Sequence, residues 1–201
     1  MIGIIDYGAG NLKSVKNALD FLRAKSKIIS TPQEVENVGG IILPGVGSFG
    51  FIMENLRSKG LDVAIMKSIS LGKPYFGICL GLQILFEKSE ESDGVKGLGV
   101  FKGDVVKFTK GKVPQVGWNE ISSAREGLLD NGFAYFVNSY YVVPEDASVV
   151  LGKTDNFVSF TSAVGKDNIF AVQFHPEKSG EYGLEILRRW VNVVEKNNSL
   201  S

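Results

Sequence analysis

Along the first eighty residues, short apolar runs alternate with stretches of helical periodicity. "IGIID" (2–6), "SKIIS" (26–30), "GGIILPG" (39–45) and "PYFGIC" (74–79) are strand-like and mostly unbroken by polar residues. Between them, "NLKSVKNALDFLRA" places Leu12, Val15, Leu19 and Leu22 on one helical face. Thr31–Pro32 is a helix-start signal for "TPQEVENV", and two further helical stretches, about 48–59 and 61–71, are split at Gly60. Strands apolar on both faces, each followed by a helix, predict a parallel sheet covered by helices.

Beyond residue 97 the pattern changes. "LGVFKGDVVKFT", "KVPQVGWNEISS", "FAYFVNSYYVV", "ASVVLGKT", "FVSFTSAV" and "NIFAVQFHP" are strand-like, with Gly, Asn and Asp turns between them. A last helix, about 180–196, carries Leu184, Leu187, Val191 and Val194 at helical spacing. The expectation is one α/β domain over 1–201: a flavodoxin-like, mostly parallel central sheet flanked by helices, with additional antiparallel strands in the second half. No repeat, low-complexity segment or linker interrupts it.

Charge and composition narrow the function classes. Of 201 residues, 44% are hydrophobic, and 22 basic residues balance 22 acidic ones. Zero net charge gives no electrostatic footprint for nucleic acid or an anionic membrane. No apolar run approaches the ~20 residues that span a bilayer. The start, "MIGIIDYG", lacks a basic region and reads as a buried strand rather than a signal peptide. A single cysteine forms no internal disulfide, which fits a reducing cytoplasm.

That cysteine, Cys79, ends the fourth strand, with Gly77 and Gly81 at minus two and plus two. This is the spacing of a nucleophile elbow, a sharp strand-to-helix turn that only small neighbours permit. In a parallel sheet, ligands bind beyond the C-terminal strand ends. A helix starting at Leu80 adds N–H groups and a positive dipole end, both of which favour thiolate. The bland alternative is a small buried hydrophobe.

The only histidine, His175, lies in "AVQFHPEKSGEYG", again at a strand end. Pro176 biases it to extended backbone, so Glu177 projects on the same side and can hold one ring nitrogen while the other takes the thiol proton. A helix-terminal histidine beside a surface glutamate is the alternative for that pair alone. "PGVGSFG" (44–50) matches G-x-G-x-x-G through Gly45, Gly47 and Gly50. It follows the third strand rather than the first, and no acidic strand end follows about 20 residues on, so a dinucleotide site is disfavoured. The loop suits an oxyanion, bound by N–H groups of this segment together with Leu80 N–H.

"GICLGLQ", "FHPEKS" and "PGVG" together resemble the class I (triad-type) glutamine amidotransferases. "IDYGAGNLKSV", "LPGVGSFG", "CLGLQILFEKSEE", "GLGVFKG", "VPQVGWNE" and "YFVNSYY" are similar, in order, to the branch that supplies ammonia to a (β/α)8-barrel cyclase in L-histidine biosynthesis. The resemblance covers the chain from Ile4 to the last helix. It implies a cysteine-dependent glutaminase that makes glutamate and ammonia in the cytoplasm, as a heterodimer with the barrel and without cofactor or metal.

It also implies roles. Cys79 is the nucleophile, His175 the base and Glu177 the orienting acid. Val46, Gly47 and Leu80 form the oxyanion hole. Gly47, Gln83, Glu91, Ser139 and Tyr140 hold glutamine, and Asn11, Trp118, Tyr135 and Lys178 face the barrel. The chain departs from many relatives at Asn138, where they carry histidine. A glutaminase serving another synthase and a non-catalytic flavodoxin-like thiol sensor are the rival readings, with a nucleotide-binding protein third.

Overall fold

The computed structural model describes residues 1–124 and 127–199. In its first half, strands β1 (Ile2–Ile5), β2 (Ser26–Ile29), β3 (Gly40–Gly45) and β4 (Tyr75–Cys79) alternate with helices α1 (Leu12–Phe21), α2 (Pro32–Glu36), α3 (Phe49–Ser58) and α4 (Leu61–Ser70). A single turn, α5 (Leu80–Gln83), follows β4. The second half holds β5 (Lys88–Ser89), β6 (Gly103–Lys107), β7 (Gln115–Ser123), β8 (Gly132–Asn138) and β9 (Tyr140–Pro144). Next come β10 (Val150–Asn156), β11 (Val158–Lys166), β12 (Ile169–Val172) and helix α6 (Gly180–Ser199).

The strands run in the order β2-β1-β3-β4-β12-β11-β10-β7-β8, and β5, β6 and β9 branch from this path. From β2 to β12 every pairing is parallel; β11, β10, β7 and β8 join antiparallel. The predicted mostly parallel sheet with antiparallel additions is therefore present.

Burial explains the parallel half. Every residue of β1, β3 and β4 is buried, and successive side chains serve opposite faces. Ile5, Ile41 and Leu43 pack with α2–α4 around Val35, Ile52, Leu56 and Ile65. Ile4, Ile42 and Phe76 pack with α1 and α6 around Leu19, Leu187, Trp190 and Val194. Local signals set the helix starts. Thr31 accepts from Glu34 N–H while a Glu34 carboxylate oxygen accepts from Ser30 N–H, and Ser48 caps α3 through Phe51 N–H.

Two expectations fail for one reason. The helix from Leu80 lasts only one turn, and "LGVF" is not a strand. Leu98, Phe101 and Gly99 N–H groups donate to the carbonyls of Ile84, Leu85 and Phe86 (2.7, 2.9 and 3.3 Å). This loop takes carbonyls that a longer helix would bond internally. The run "FAYFVNSYYVV" is likewise two strands. β8 ends at Asn138, and β9 begins at Tyr140 and pairs with β6 and β11 instead of β7. Among the described residues, no helix is long and apolar enough to cross a membrane.

Trp190 anchors α6 to the sheet, its ring 5.5 Å from that of Phe76 and buried. Trp190→Ala should cost about 3–5 kcal/mol in urea unfolding. A loss under about 1 kcal/mol would mean that α6 is held mainly elsewhere.

Candidate active site

Four neighbouring parallel strands, β1, β3, β4 and β12, deliver their C-terminal ends to one edge of the sheet. Gly45 lies opposite Cys79 in the β3–β4 ladder, and Val172 opposite Ile78 in the β4–β12 ladder. The residues just past these ends, Tyr7, Val46, Leu80 and Gln173, surround the cysteine.

Cys79 itself adopts φ +56°, ψ −109°, backbone that an L-residue enters only under constraint. The glycines are required by contact. A Cβ on Gly77 would stand 2.3 Å from the Gly81 carbonyl oxygen, and one on Gly81 1.9 Å from that of Leu43. Tyr75 donates its hydroxyl to the same Gly81 carbonyl at 2.7 Å. The elbow is thus pinned on both sides with the thiol at its apex. Because α5 is one turn long, its unbonded first N–H groups, Leu80's among them, act here rather than a macrodipole.

His175 ends an extended segment at φ −102°, ψ +95°, as expected before Pro176. Its Nδ1 lies 2.9 Å from Glu177 Oε1. The pair forms through a 3₁₀ turn, Pro176–Lys178, rather than along the extended strand that the sequence suggested. The imidazole also hydrogen-bonds Cys79. Burial opposes a charge on this ring, but the hydrogen bonds to Cys79 and Glu177 and their negative charges outweigh it. The His175 pKa is pushed up to about 10. The imidazole is therefore protonated at neutral pH. Both side chains are buried, and Glu177 Oε2 has no hydrogen-bond partner. Ser179 Oγ donates to the His175 carbonyl at 2.7 Å, and His175 N–H to the Tyr135 carbonyl at 2.9 Å, which fixes the ring's backbone.

In front of the thiol lies a cavity of about 250 Å³ lined by Gly47, Cys79, Leu80, Gln83, Glu91, Pro114, Val137, Asn138, Ser139 and Tyr140. It falls below the roughly 300–1,000 Å³ of drug-sized pockets and suits a ligand the size of one amino acid. All five residues expected to hold substrate line it. Glu91 is partly committed, since Oε2 accepts the Phe49 N–H at the start of α3 (2.7 Å). The Tyr140 carbonyl already accepts from Asn138 Nδ2 (2.9 Å) and Gln83 Nε2 (3.1 Å).

The oxyanion segment is only partly in place. Val46 N–H donates to the Tyr7 hydroxyl at 2.9 Å, and that hydroxyl donates to the Val46 carbonyl at 3.1 Å. Val46 N–H is therefore committed to Tyr7. A Cβ on Gly45 would meet Leu80 Cβ at 2.4 Å, so that position is closely packed, whereas Gly47 takes φ +99°, backbone that glycine alone enters readily.

Trp118 and Tyr135 stand opposite each other on β7 and β8 with ring centroids 6.2 Å apart. Val116 and Val137, and Glu120 and Phe133, pair on the same face, where Val116, Trp118, Phe133 and Val137 are exposed. Lys178 is exposed beside the His175–Glu177 pair, and Asn11 is half-buried at the start of α1, which packs on the 3₁₀ turn.

Sequence reasoning missed Tyr7, Gln173, Gln115 and Pro114. Gln173 left a trace, as the only polar residue in the buried run "IFAVQF"; Tyr7 left none that separates it from a core aromatic.

An α/β sheet with a cysteine elbow, a His–Glu pair and an amino-acid-sized cavity defines a triad amidohydrolase. Consistent with this, residues 3–193 match the Glutamine amidotransferase class-I family, and the chain belongs to it. Within it, the chain is 48% identical to the imidazole glycerol phosphate synthase subunit HisH of Methanocaldococcus jannaschii, covering 96% of this chain and 100% of that one. It is 46% identical to the subunit of the same name from Aquifex aeolicus, over 96% and 97%. Two solved structures share the fold at low identity. One is a glutamine amidotransferase (TM-score 0.80, 20% identical, 96% and 98% covered). The other is PurLQS of Thermotoga maritima (TM-score 0.79, 19% identical, 96% and 98% covered).

The single histidine gives one imidazole signal to titrate by NMR. It should keep its proton through neutral pH and lose it as pH climbs through about 10, and Glu177→Gln should move the midpoint down. A wild-type midpoint near the ordinary ~6.5 would dissolve the ion pair.

Proposed function

We propose that this chain is the glutaminase subunit of an imidazole glycerol phosphate synthase in L-histidine biosynthesis. It hydrolyses L-glutamine to glutamate and ammonia. The ammonia passes to a (β/α)8-barrel cyclase, which makes imidazole glycerol phosphate and an aminoimidazole carboxamide ribonucleotide. The observation that carries the proposal is Cys79 lining the cavity with the His175–Glu177 pair against it, in a chain that matches HisH relatives over nearly their whole length.

The Cys79 thiolate attacks the side-chain amide carbon of glutamine. The carbonyl electrons move onto oxygen, where Leu80 N–H and the Val46–Gly47 segment receive them. Protonated His175 gives its proton to the amide nitrogen as the C–N bond breaks, and ammonia leaves a γ-glutamyl thioester. His175, now neutral, takes a proton from water. The hydroxide attacks the thioester, glutamate departs, and the thiolate–imidazolium pair is restored. Glu177 holds Nδ1 throughout. Glu91 suits the substrate ammonium. Gln83 has only its oxygen left to offer, because both Nε2 protons are engaged.

Partner docking fits the exposed Trp118–Tyr135 face, with Lys178 and Asn11 at its edge. Trp and Tyr are the residue types that anchor interfaces. Tyr135 also reaches the His175 backbone, so the docking face and the triad are mechanically joined. A chain with one cysteine, working on a metabolite, suits the cytoplasm.

Glutamate release from the chain alone and with the barrel subunit tests the assignment. Cys79→Ser should abolish it in both, while ammonia-dependent cyclisation by the complex persists. Residual glutaminase within tenfold of wild type would remove Cys79 as nucleophile.

Control follows from the Tyr7 contact. While Tyr7 holds Val46 N–H, the oxyanion hole lacks a donor, and losing one such donor costs on the order of 10²–10³ in rate. Barrel docking, with the barrel's own ligand bound, frees this segment. Tyr7→Phe should therefore raise glutamate release by the isolated chain about tenfold, the worth of a released hydrogen bond. An unchanged or lower basal rate would defeat this role.

A further inference from the structure

The thiol has one more polar neighbour that the triad does not account for. Gln173, fully buried just past β12, points its Nε2 at Cys79 Sγ across 3.6 Å. At this distance from sulfur an N–H group is a hydrogen-bond donor, and it strengthens if the sulfur carries charge. We propose that Gln173 is a catalytic residue that stabilises the Cys79 thiolate through its amide N–H, with Gln83 as the positioning residue that fixes its orientation.

The orientation of that amide follows from its neighbours. A backbone carbonyl only accepts, so the Tyr140 carbonyl fixes the facing atom of Gln83 as the nitrogen (3.1 Å). The second Gln83 Nε2 proton then points at Gln173, whose facing atom must be its oxygen (3.0 Å). Gln173 is left with only its amino group toward the sulfur. Asn138 donates to the same Tyr140 carbonyl, and its Oδ1 accepts from Gln115 Nε2 at 2.7 Å. Gln115 Oε1 in turn accepts from Asn119 Nδ2 (3.2 Å) and from Asn156. A continuous chain of amides thus runs from the docking strand β7 to the nucleophile.

Asn138 is a neutral member of that chain. The charged or titratable groups that face the sulfur lie elsewhere. His175 and Glu177 come from the 3₁₀ turn and the residue before it, Tyr7 from just past β1, and Glu91 from across the cavity. None of them makes the Gln173 contact redundant. His175 is a cation that must give up its proton during turnover, whereas the Gln173 donor is permanent.

The test uses the full chain without glutamine. Cys79 is the only cysteine, so the rate of alkylation by iodoacetamide against pH reads its thiolate alone. Gln173→Leu should move the midpoint up by about one pH unit and lower the rate at pH values below the midpoint about tenfold, the scale of a hydrogen bond to a charged group. Gln83→Met, which leaves the sulfur contact in place but frees the Gln173 amide to turn, should move it up by less. Gln173→Glu keeps the shape and covers the case in which Gln173→Leu does not fold. Its carboxylate faces the sulfur, and the midpoint should rise further. Profiles that superimpose on wild type in folded Gln173→Leu or Gln173→Glu overturn the proposal. The inference rests on Cys79 as the proposed nucleophile, but iodoacetamide reports the thiolate whether or not glutamine is hydrolysed, so the two readings fail separately.

Discussion

The β4–α5 turn leaves no spare volume, and the site is arranged around that constraint. Cys79 can hold φ +56° only because Gly77 and Gly81 carry no Cβ where the Gly81 and Leu43 carbonyls pass at 2.3 and 1.9 Å. A methyl group on Gly81 would push the turn away from β3, and one on Gly77 would push α5 away from β4; either would carry the thiol with it. Such strain costs on the order of 1–3 kcal/mol, and the buried parallel strands on either side of β4 offset it. In return the sulfur, though buried, lines the cavity, while its backbone stays rigid.

That rigidity makes small contacts decisive. Electrostatic stabilisation works when donors are already in place and need not reorganise during the reaction. Gln173, held through Gln83 by the Tyr140 carbonyl, is such a donor. Val46 N–H is not, because Tyr7 takes it. On the proposed roles, the nucleophile is therefore prepared while the oxyanion hole is incomplete. This combination suits a glutaminase whose product is wasted unless a cyclase stands ready. Tyr7 is well chosen as the holder. Burial pushes its hydroxyl up to about 12, so it stays neutral and serves Val46 as donor and acceptor at once.

What could be read from the sequence was whatever lies close together in it. The elbow spans five residues and His175–Glu177 three, so spacing alone exposed both, although the 3₁₀ turn that joins the second pair was invisible. The parallel half was equally plain, since β1, β3 and β4 are uniformly apolar. Contacts that depend on sheet order were not. Gln173 meets Cys79 only because β12 returns from a long antiparallel excursion to lie beside β4. Tyr7 meets Val46 because β1 and β3 are neighbours. The overlong α5 came from the same blindness, because the loop that takes the Ile84–Phe86 carbonyls is distant from the helical pattern it cuts short.

The polar wall around the thiol is built from neutral amides, and the reaction gives a reason. An arginine or lysine in place of Gln173 would hold the thiolate more strongly. A thiolate loses intrinsic nucleophilicity as its pKa falls, so the gain in population would be offset by slower attack. A fixed cation would also repel the imidazolium. His175 stays protonated near pH 7 because its contacts with Cys79 and Glu177 outweigh its burial, and in the proposed reaction it must still release that proton to departing ammonia. Adding positive charge would drain the proton before it was needed. An amide N–H supplies a donor to sulfur with no net charge, so it leaves this balance intact. The same reasoning covers Asn138, whose side chain orients the Tyr140 carbonyl without titrating. His175 is then the one proton carrier among the described groups that face the sulfur, and the amides set the field in which it works.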